Sequence, residues 1–153
     1  QWATRALPES AGEGAVLHAY AAEIRRLQEA GPYPAVDVVR LLPPRNDEER
    51  ARAATAREKF RNEHTHDEDE VRFFVEGRGL FYLRLAGEVC LVLCEAGDLL
   101  GVPAGTRHWF DMGEAPHFTA LRFFGTEAGW VARFTGDAIA TRFPSLDDLA
   151  SAP

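Results

Sequence analysis

The chain has few cysteines and no long apolar run. Its two cysteines, Cys90 and Cys94, would lie about 13 Å apart along an extended strand, which is too far for a disulfide. We therefore expect two small buried side chains in a reducing compartment, and a cytoplasmic protein. No apolar stretch approaches the ~20 residues that a helix needs to span a bilayer, so we expect no membrane partner.

Basic residues are also in the minority. The 17 lysines and arginines stand against 24 aspartates and glutamates, which gives a net charge of −7. This balance argues against a nucleic-acid partner. Apolar residues make up 46% of the chain, and ten of them are phenylalanines. At 153 residues this composition indicates one compact domain, residues 1–153, with room for a sizeable core.

The first part of the chain has helical patterning. Apolar residues recur at a helical period over residues 14–30, and a Gly-Pro pair follows. A short strand is predicted over 36–40. Residues 47–63 are highly charged with alanine spacers, which favours a second helix with ion pairs between successive turns. We therefore expect a helical N-terminal part over about 14–63.

From residue 64 to about 134 the pattern changes to short runs of β-forming residues. We predict strands over 70–76, 80–85, 89–93, 98–102, 108–111 and 118–124. Glycine-containing segments at 77–79, 86–88 and 96–97 are predicted to be the turns between them. The second part of the chain is therefore expected to be mainly β.

Three histidines and one glutamate form the most specific pattern in the sequence: His64, His66, Glu70 and His108. Side chains alternate along a strand, so His64 and His66 point the same way and can share one ion. Each residue alone is unremarkable, because a lone histidine is more often a core or surface residue and Glu70 lies in an acidic run. Together, three imidazoles and a carboxylate suit first-row divalent metals such as iron, nickel or manganese. We predict one divalent metal per chain at these four residues.

The spacing of these residues is that of the two cupin motifs. In the first, His-x-His is followed by Glu after three residues and by Gly77 after six more; in the second, the pattern G-x5-P-x-G-x2-H runs from Gly97 to His108. Cupins close a small antiparallel β-barrel, jelly-roll-like, around the ion. The resemblance implies a mainly β fold of this kind, about 64–134, with the N-terminal helices flanking it. Met112 stands where the general pattern often has asparagine.

Strand alternation adds three residues to this site. If Glu70 points inward, so do Arg72 and Phe74, and Phe110 accompanies His108 in the same way. A cation beside a metal needs an anionic partner, because an unpaired buried charge is costly. Arg72 is therefore either paired with a structural carboxylate or directed at a bound organic anion. Phe74 and Phe110 are candidates for the apolar wall of a substrate pocket, although core packing accounts for Phe110 equally well.

Longer blocks around these motifs resemble acireductone dioxygenase. They are Asn-Glu-His-Thr-His at 62–66, Glu-Asp-Glu-Val-Arg-Phe-Phe-Val-Glu-Gly at 68–77, Val-Pro-Ala-Gly-Thr-Arg-His-Trp-Phe-Asp-Met-Gly at 102–113, Gly-Trp-Val-Ala at 129–132 and Phe-Thr-Gly-Asp at 134–137. Met112 is the expected residue in this family, and the resemblance runs from about Trp2 to Pro144. Family members usually have another strand-forming segment before the position of Trp2, so we expect the sequence to be truncated there.

The resemblance implies a step in methionine salvage, in which an acireductone, 1,2-dihydroxy-3-keto-5-methylthiopentene, reacts with O2. With Fe(II) the family gives 2-keto-4-methylthiobutyrate and formate; with Ni(II) it gives methylthiopropionate, formate and carbon monoxide. The resemblance also implies that Arg72 is catalytic, with its fixed charge stabilising the substrate dianion. It connects Glu63 with metal incorporation and Asp69 with the relay of local changes, although either could be an ordinary carboxylate near the ligands or at the surface.

Two other classes of function stay open. One is a non-oxidative metal cupin, such as a sugar-phosphate isomerase or epimerase; the other is a metal-bearing binding cupin without turnover. An isomerase needs an acid or base near the ion, and the remaining histidines, His18 and His117, are poorly placed for that role. A binding protein does not need open coordination positions beside a buried arginine. We expect a monomer, because a small closed barrel with a charged surface can function alone.

Overall fold

The computed structural model describes residues 2–152. In chain order the elements are α1 (Glu13–Ala19), α2 (Ala21–Ala30), β1 (Ala35–Leu41), α3 (Asp47–Arg61), β2 (His64–Thr65), β3 (Glu70–Leu85), β4 (Glu88–Glu95), β5 (Leu99–Val102), β6 (Arg107–Asp111), β7 (Phe118–Phe124), β8 (Arg133–Phe134), a 3-10 helix (Ala138–Arg142) and α4 (Leu146–Ala150). The predicted order, helices first and then a mainly β part, is confirmed. Within the described residues no helix is both long and apolar enough to cross a membrane.

The strands form a curled antiparallel sheet in the order β1-β7-β3-β6-β2-β8. The long strand β3 organises it, because its first half pairs with β5 and β7 while its second half pairs with β4 and β6. One strand thus contributes to both walls of the curl. Side chains that alternate along β3 face the interior of the curl or the helices outside it.

The predicted turn at 77–79 is wrong, because these residues continue β3. Gly77 has a φ of +68°, and a Cβ there would lie 1.8 Å from the carbonyl oxygen of His117. The pairing with β7 shifts register between Phe74 and Glu76, next to this glycine. A glycine with positive φ beside a register shift is typical of a β-bulge, which bends a strand without reversing it. The glycines at 77–79 therefore mark a bend of β3 between the two walls of the sheet, and not a reversal of the chain.

The predicted helix over 14–30 is divided at Tyr20, whose backbone leaves the helical conformation at φ −111° and ψ 19°. The ring of Tyr20 is fully buried and meets the ring of Phe73 edge-on at 5.7 Å. Its hydroxyl accepts a hydrogen bond from the backbone amide of Arg5 at 2.7 Å. Tertiary packing overrides helical periodicity here.

The second predicted helix, over 47–63, corresponds to α3, which ends two residues earlier than predicted. It ends there because Asn62 is already extended and directs the chain into β2.

Buried side chains form three clusters that follow the alternation of β3. Phe73 and Val75 lie on one outer face, under α1 and α2, while Leu80 and Tyr82 lie on another, with the C-terminal helices. The cluster inside the curl comprises Phe74, Phe81, Leu83, Cys94, Val102, Phe110, Met112, Phe118 and Ala120. The predicted burial is confirmed for Cys94 but is wrong for Cys90, which is exposed on β4. The interior is therefore apolar over most of its depth.

Candidate metal centre

Three histidines meet at one end of the interior. His64 on β2 is the register partner of His108 on β6, and His66 follows β2 directly. The ligand atoms of the three imidazoles all lie within 4.8 Å of one another. All three side chains are buried, with at most 6% of each residue exposed. Strand pairing has thus brought together the two motifs that are separated in the sequence.

Each of these imidazoles is oriented by a backbone carbonyl. The Nδ1 atoms donate to the carbonyl oxygens of Asn62 for His64 (2.7 Å), Val131 for His66 (3.1 Å) and Thr106 for His108 (2.8 Å). With the proton on Nδ1, each Nε2 carries a free lone pair, which is the form of histidine that binds a metal. Burial, followed by the neighbouring His108, lowers the pKa of His64 to about 4, so this ring is neutral at pH 7.

Glu70 supplies a buried carboxylate to the same cluster. Its Oε1 accepts from the Nε and Nη2 of Arg72 at 3.0 and 2.6 Å. Its Oε2 lies 3.2 Å from the Nε2 of His66 and 3.8 Å from that of His108, and it has no hydrogen-bond donor. Burial is the largest single effect and raises the pKa of Glu70, but the charge of Arg72 together with the neighbouring His108 and His66 outweighs it and holds the pKa well below its ordinary value. An ionised oxygen without a donor beside three imidazole lone pairs fits a divalent cation.

Arg72 is almost completely buried, with 4% of the residue exposed. Two of its nitrogens bind Glu70, while its third, Nη1, is buried without a hydrogen-bond partner. Its guanidinium carbon lies over the rings of Phe81 and Phe110. Both interpretations of Arg72 from the sequence are therefore compatible with the structure. Arg72 pairs with a carboxylate of the cluster, and it still has a donor group available for a bound anion.

The model of the ARD/ARD' family matches residues 16–132. The chain belongs to this family. It is 58% identical over 150 residues to acireductone dioxygenase 1 of Nocardia farcinica, covering 97% of this chain and 79% of that protein. It is 56% identical over 148 residues to the acireductone dioxygenase of Parasynechococcus marenigrum, covering 96% of this chain and 77% of that protein.

A solved member of the ARD/ARD' family shares the fold. The acireductone dioxygenase from Bacillus anthracis, which has a cadmium ion in its active centre, matches with a TM-score of 0.69 and 30% identity. The match covers 84% of this chain and 71% of that one. The predictions of the family, of the cupin-type fold and of a dioxygenase are confirmed. A metal in the active centre of this relative agrees with the donor set found here.

Three other predicted residues, Glu63, Asp69 and Phe74, have partners outside the cluster. Glu63 is buried and accepts hydrogen bonds from Thr135 at 2.8 Å and from Arg84 at 3.2 Å. Asp69 accepts from the backbone amide of Ala104 at 2.7 Å, and so it links the loops of the two motifs. Phe74 is fully buried, deeper in the interior and packed against other aromatic rings. Both carboxylates thus have structural partners of their own.

A second arginine, which was not predicted from the sequence, lies opposite Arg72. Arg122 on β7 is the register partner of Arg72, and its guanidinium donates to the carboxylate of Asp37 on β1 at 2.8 and 2.6 Å. Alternation along residues 118–124 places Arg122 on the same face as Phe118 and Ala120, which would have been the available signal. The carbonyl of Val131 that orients His66 comes from a distant loop, and nothing in the sequence indicates that contact.

Proposed function

We propose that this chain cleaves 1,2-dihydroxy-3-keto-5-methylthiopentene with O2 in methionine salvage. Family membership supports the reaction class. The main structural support for the site is the Oε2 atom of Glu70, which accepts no hydrogen bond and is buried beside three imidazoles whose protons are held on Nδ1. We further propose that the chain is a single domain over 1–153 that functions as a cytoplasmic monomer.

We propose that His64, His66, Glu70 and His108 hold one divalent metal, Fe(II) or Ni(II). When bound, the ion supplies Lewis acidity toward the enediolate oxygens of the substrate. Imidazole and carboxylate accept iron and nickel alike, so metal supply decides which ion is bound. In this proposal Fe(II) leads to 2-keto-4-methylthiobutyrate and formate, whereas Ni(II) leads to methylthiopropionate, formate and carbon monoxide.

The other residues of the site bind and shield the substrate anion. The fixed charge of Arg72 stabilises the dianion, with Nη1 as the donor that Glu70 leaves free. Phe74 and Phe110 exclude water from the interior, which strengthens these charge interactions. Asp69 joins the two motif loops, and Glu63 lies next to His64 in the chain, where a buried carboxylate can assist metal entry.

The isomerase alternative lacks a histidine that could move protons. His18 is exposed on α1, and the Nε2 of His117 lies 3.7 Å from Glu76 in a half-exposed position. Neither belongs to the buried cluster of imidazoles. Neither histidine is therefore placed to act as the acid or base that an isomerase needs near the ion.

The test is to reconstitute metal-free protein with Fe(II) or Ni(II), add acireductone without oxygen, and then admit O2. Oxygen uptake with loss of the ultraviolet band of the substrate is expected for both forms, and carbon monoxide only for the Ni(II) form. Metal-free protein is the control for the spontaneous reaction of acireductone with O2. Identical products from both forms would contradict the metal dependence, and no uptake above the control would contradict the dioxygenase.

A further inference from the structure

The guanidinium of Arg72 rests on a pair of aromatic rings. Phe81 on β3 and Phe110 on β6 are register partners, and their ring centroids are 4.8 Å apart. The guanidinium carbon of Arg72 lies 4.8 Å from the centroid of Phe81 and 5.0 Å from that of Phe110. Both rings are essentially unexposed, so water does not screen these contacts. A desolvated cation over a ring face is attracted more strongly than one at the surface.

These contacts leave one part of the guanidinium free. Nε and Nη2 are directed at Glu70, and the two rings lie within cation–π distance. Only Nη1 is buried without a hydrogen-bond partner. A buried N–H group without a partner is costly, so its retention in a site for an anionic substrate points to the ligand as the missing acceptor.

Gly79 makes room for this arrangement. A Cβ at Gly79 would lie 2.2 Å from the Cζ of Phe110 and 2.3 Å from its Cε2, so the ring is pressed against the backbone of β3. Any larger residue at position 79 would push the ring away. Gly79 has no positive φ, so its role here is space and not backbone conformation.

We infer that Phe81, Phe110 and Gly79 are positioning residues for Arg72. They hold the guanidinium so that Nη1 is presented to the substrate anion while Nε and Nη2 keep the Oε1 of Glu70. The inference rests on the proposed function and deepens it. It also gives Phe110 a different role from the predicted one, since the ring acts through Arg72 and not as a wall that contacts the substrate.

The test compares three substitutions of equal size in the same interior cluster: Phe81→Leu, Phe110→Leu and, as the control, Phe118→Leu. Phe118 is fully buried and its ring centroid lies 5.3 Å from that of Phe110, but the structure shows no cation–π contact between it and Arg72. All three variants should bind one metal per chain. We expect kcat to fall on the order of tenfold in Phe81→Leu and in Phe110→Leu, and to stay near wild type in Phe118→Leu.

Two further measurements separate positioning from general loss of packing. On anaerobic mixing, the ultraviolet band of the substrate should shift toward that of the dianion with wild type and Phe118→Leu, and less with the other two variants. In an Arg72→Lys background, Phe110→Leu should add little to the loss of kcat, because residues that act together are not additive. Gly79→Ala should resemble Phe110→Leu.

Equal losses of kcat in Phe110→Leu and Phe118→Leu would overturn the inference. So would a double variant, Phe110→Leu with Arg72→Lys, whose loss of kcat equals the product of the two single losses. If Phe110→Leu does not fold, Phe81→Leu provides the same comparison. Wild-type protein that neither consumes O2 nor shifts the substrate band would instead refute the proposed function, and the inference with it. The two failures are thus distinguishable from the wild-type control alone.

Discussion

Two of the buried carboxylates that pair with arginines in the described residues, Glu70 and Asp111, differ in one respect. Glu70 and Arg72 lie inside the curled sheet, next to the three histidines. Asp111 and Arg57 lie outside it, where β6 meets α3 and the start of α4. Both carboxylates are buried, at 1% and 0% exposure. The pairs therefore have similar chemistry and burial but different surroundings.

The outer pair is complete. Oδ1 of Asp111 accepts from the Nε of Arg57 at 2.7 Å and from the Gly113 amide at 3.3 Å, while Oδ2 accepts from the Nη2 of Arg57 at 3.2 Å and from the Leu146 amide at 2.8 Å. In the inner pair, Oε2 of Glu70 and Nη1 of Arg72 have no hydrogen-bond partner. A completed pair joins elements of the fold, whereas an unfinished one provides an acceptor for a cation and a donor for an anion.

The largest effect is expected from removing the unfinished acceptor. Glu70→Ala should abolish stable binding of one metal per chain, because it removes the carboxylate oxygen that lies beside the imidazoles of His66 and His108. His108→Ala should do the same. Metal analysis after dialysis measures the effect, with Asp111→Asn as the control that changes the completed pair and keeps the metal. Full metal occupancy in Glu70→Ala would show that Glu70 is not a ligand of the metal.

The next effect concerns the unfinished donor. Arg72→Ala should retain the metal but lose activity on the order of a hundredfold, because charged hydrogen bonds to a developing anion in a buried site are worth about 2–4 kcal/mol. Steady-state kinetics and metal analysis of the same preparation separate the two properties. Unchanged turnover in Arg72→Ala would make the inner pair as purely structural as the outer one.

Much of the inner site could be predicted from the sequence because it follows strand alternation. Alternation places His64 and His66 on one face of their segment, and Glu70, Arg72 and Phe74 on one face of theirs, without any knowledge of strand pairing. The register that brings His108 to His64 was available only through the motif spacing. Contacts set purely by pairing, such as Arg122 opposite Arg72, could not be read from one strand at a time.

Glycine was the main source of error in the fold. The segment 77–79 carries two glycines, and a turn and a bulge both need that residue type. Only the carbonyl of His117, which occupies the space of a Cβ at Gly77, distinguishes the two cases. In the same way, the helical period over 14–30 continues through Tyr20, but the buried pocket beside Phe73 interrupts the helix. Both errors arise where a distant part of the chain determines the local backbone.

The outer pair should give the smallest effect on catalysis but a measurable effect on stability. Asp111→Asn should lower the free energy of unfolding by about 1–3 kcal/mol, because it weakens charged hydrogen bonds to Arg57 and the amides of Gly113 and Leu146. Asp147→Asn is the matched control, since Asp147 contacts the same arginine at 3.4 Å but its side chain is 52% exposed. Urea unfolding of both variants measures the difference.

The pH dependence of that difference tests its electrostatic origin. Burial raises the pKa of Asp111, but hydrogen bonds from Arg57 and the Leu146 amide outweigh it and leave the pKa below its ordinary value. A carboxyl whose pKa is lowered by folding stabilises the protein above the unfolded pKa of about 3.9, and this contribution is lost as the pH falls through the folded pKa. The stability gap between wild type and Asp111→Asn should therefore be constant from pH 8 to pH 5 and narrow below about pH 4. A gap that stays constant below pH 4 would mean that packing, and not the charge of Asp111, joins β6 to α3 and α4, and a gap that widens would mean that folding raises the pKa of Asp111.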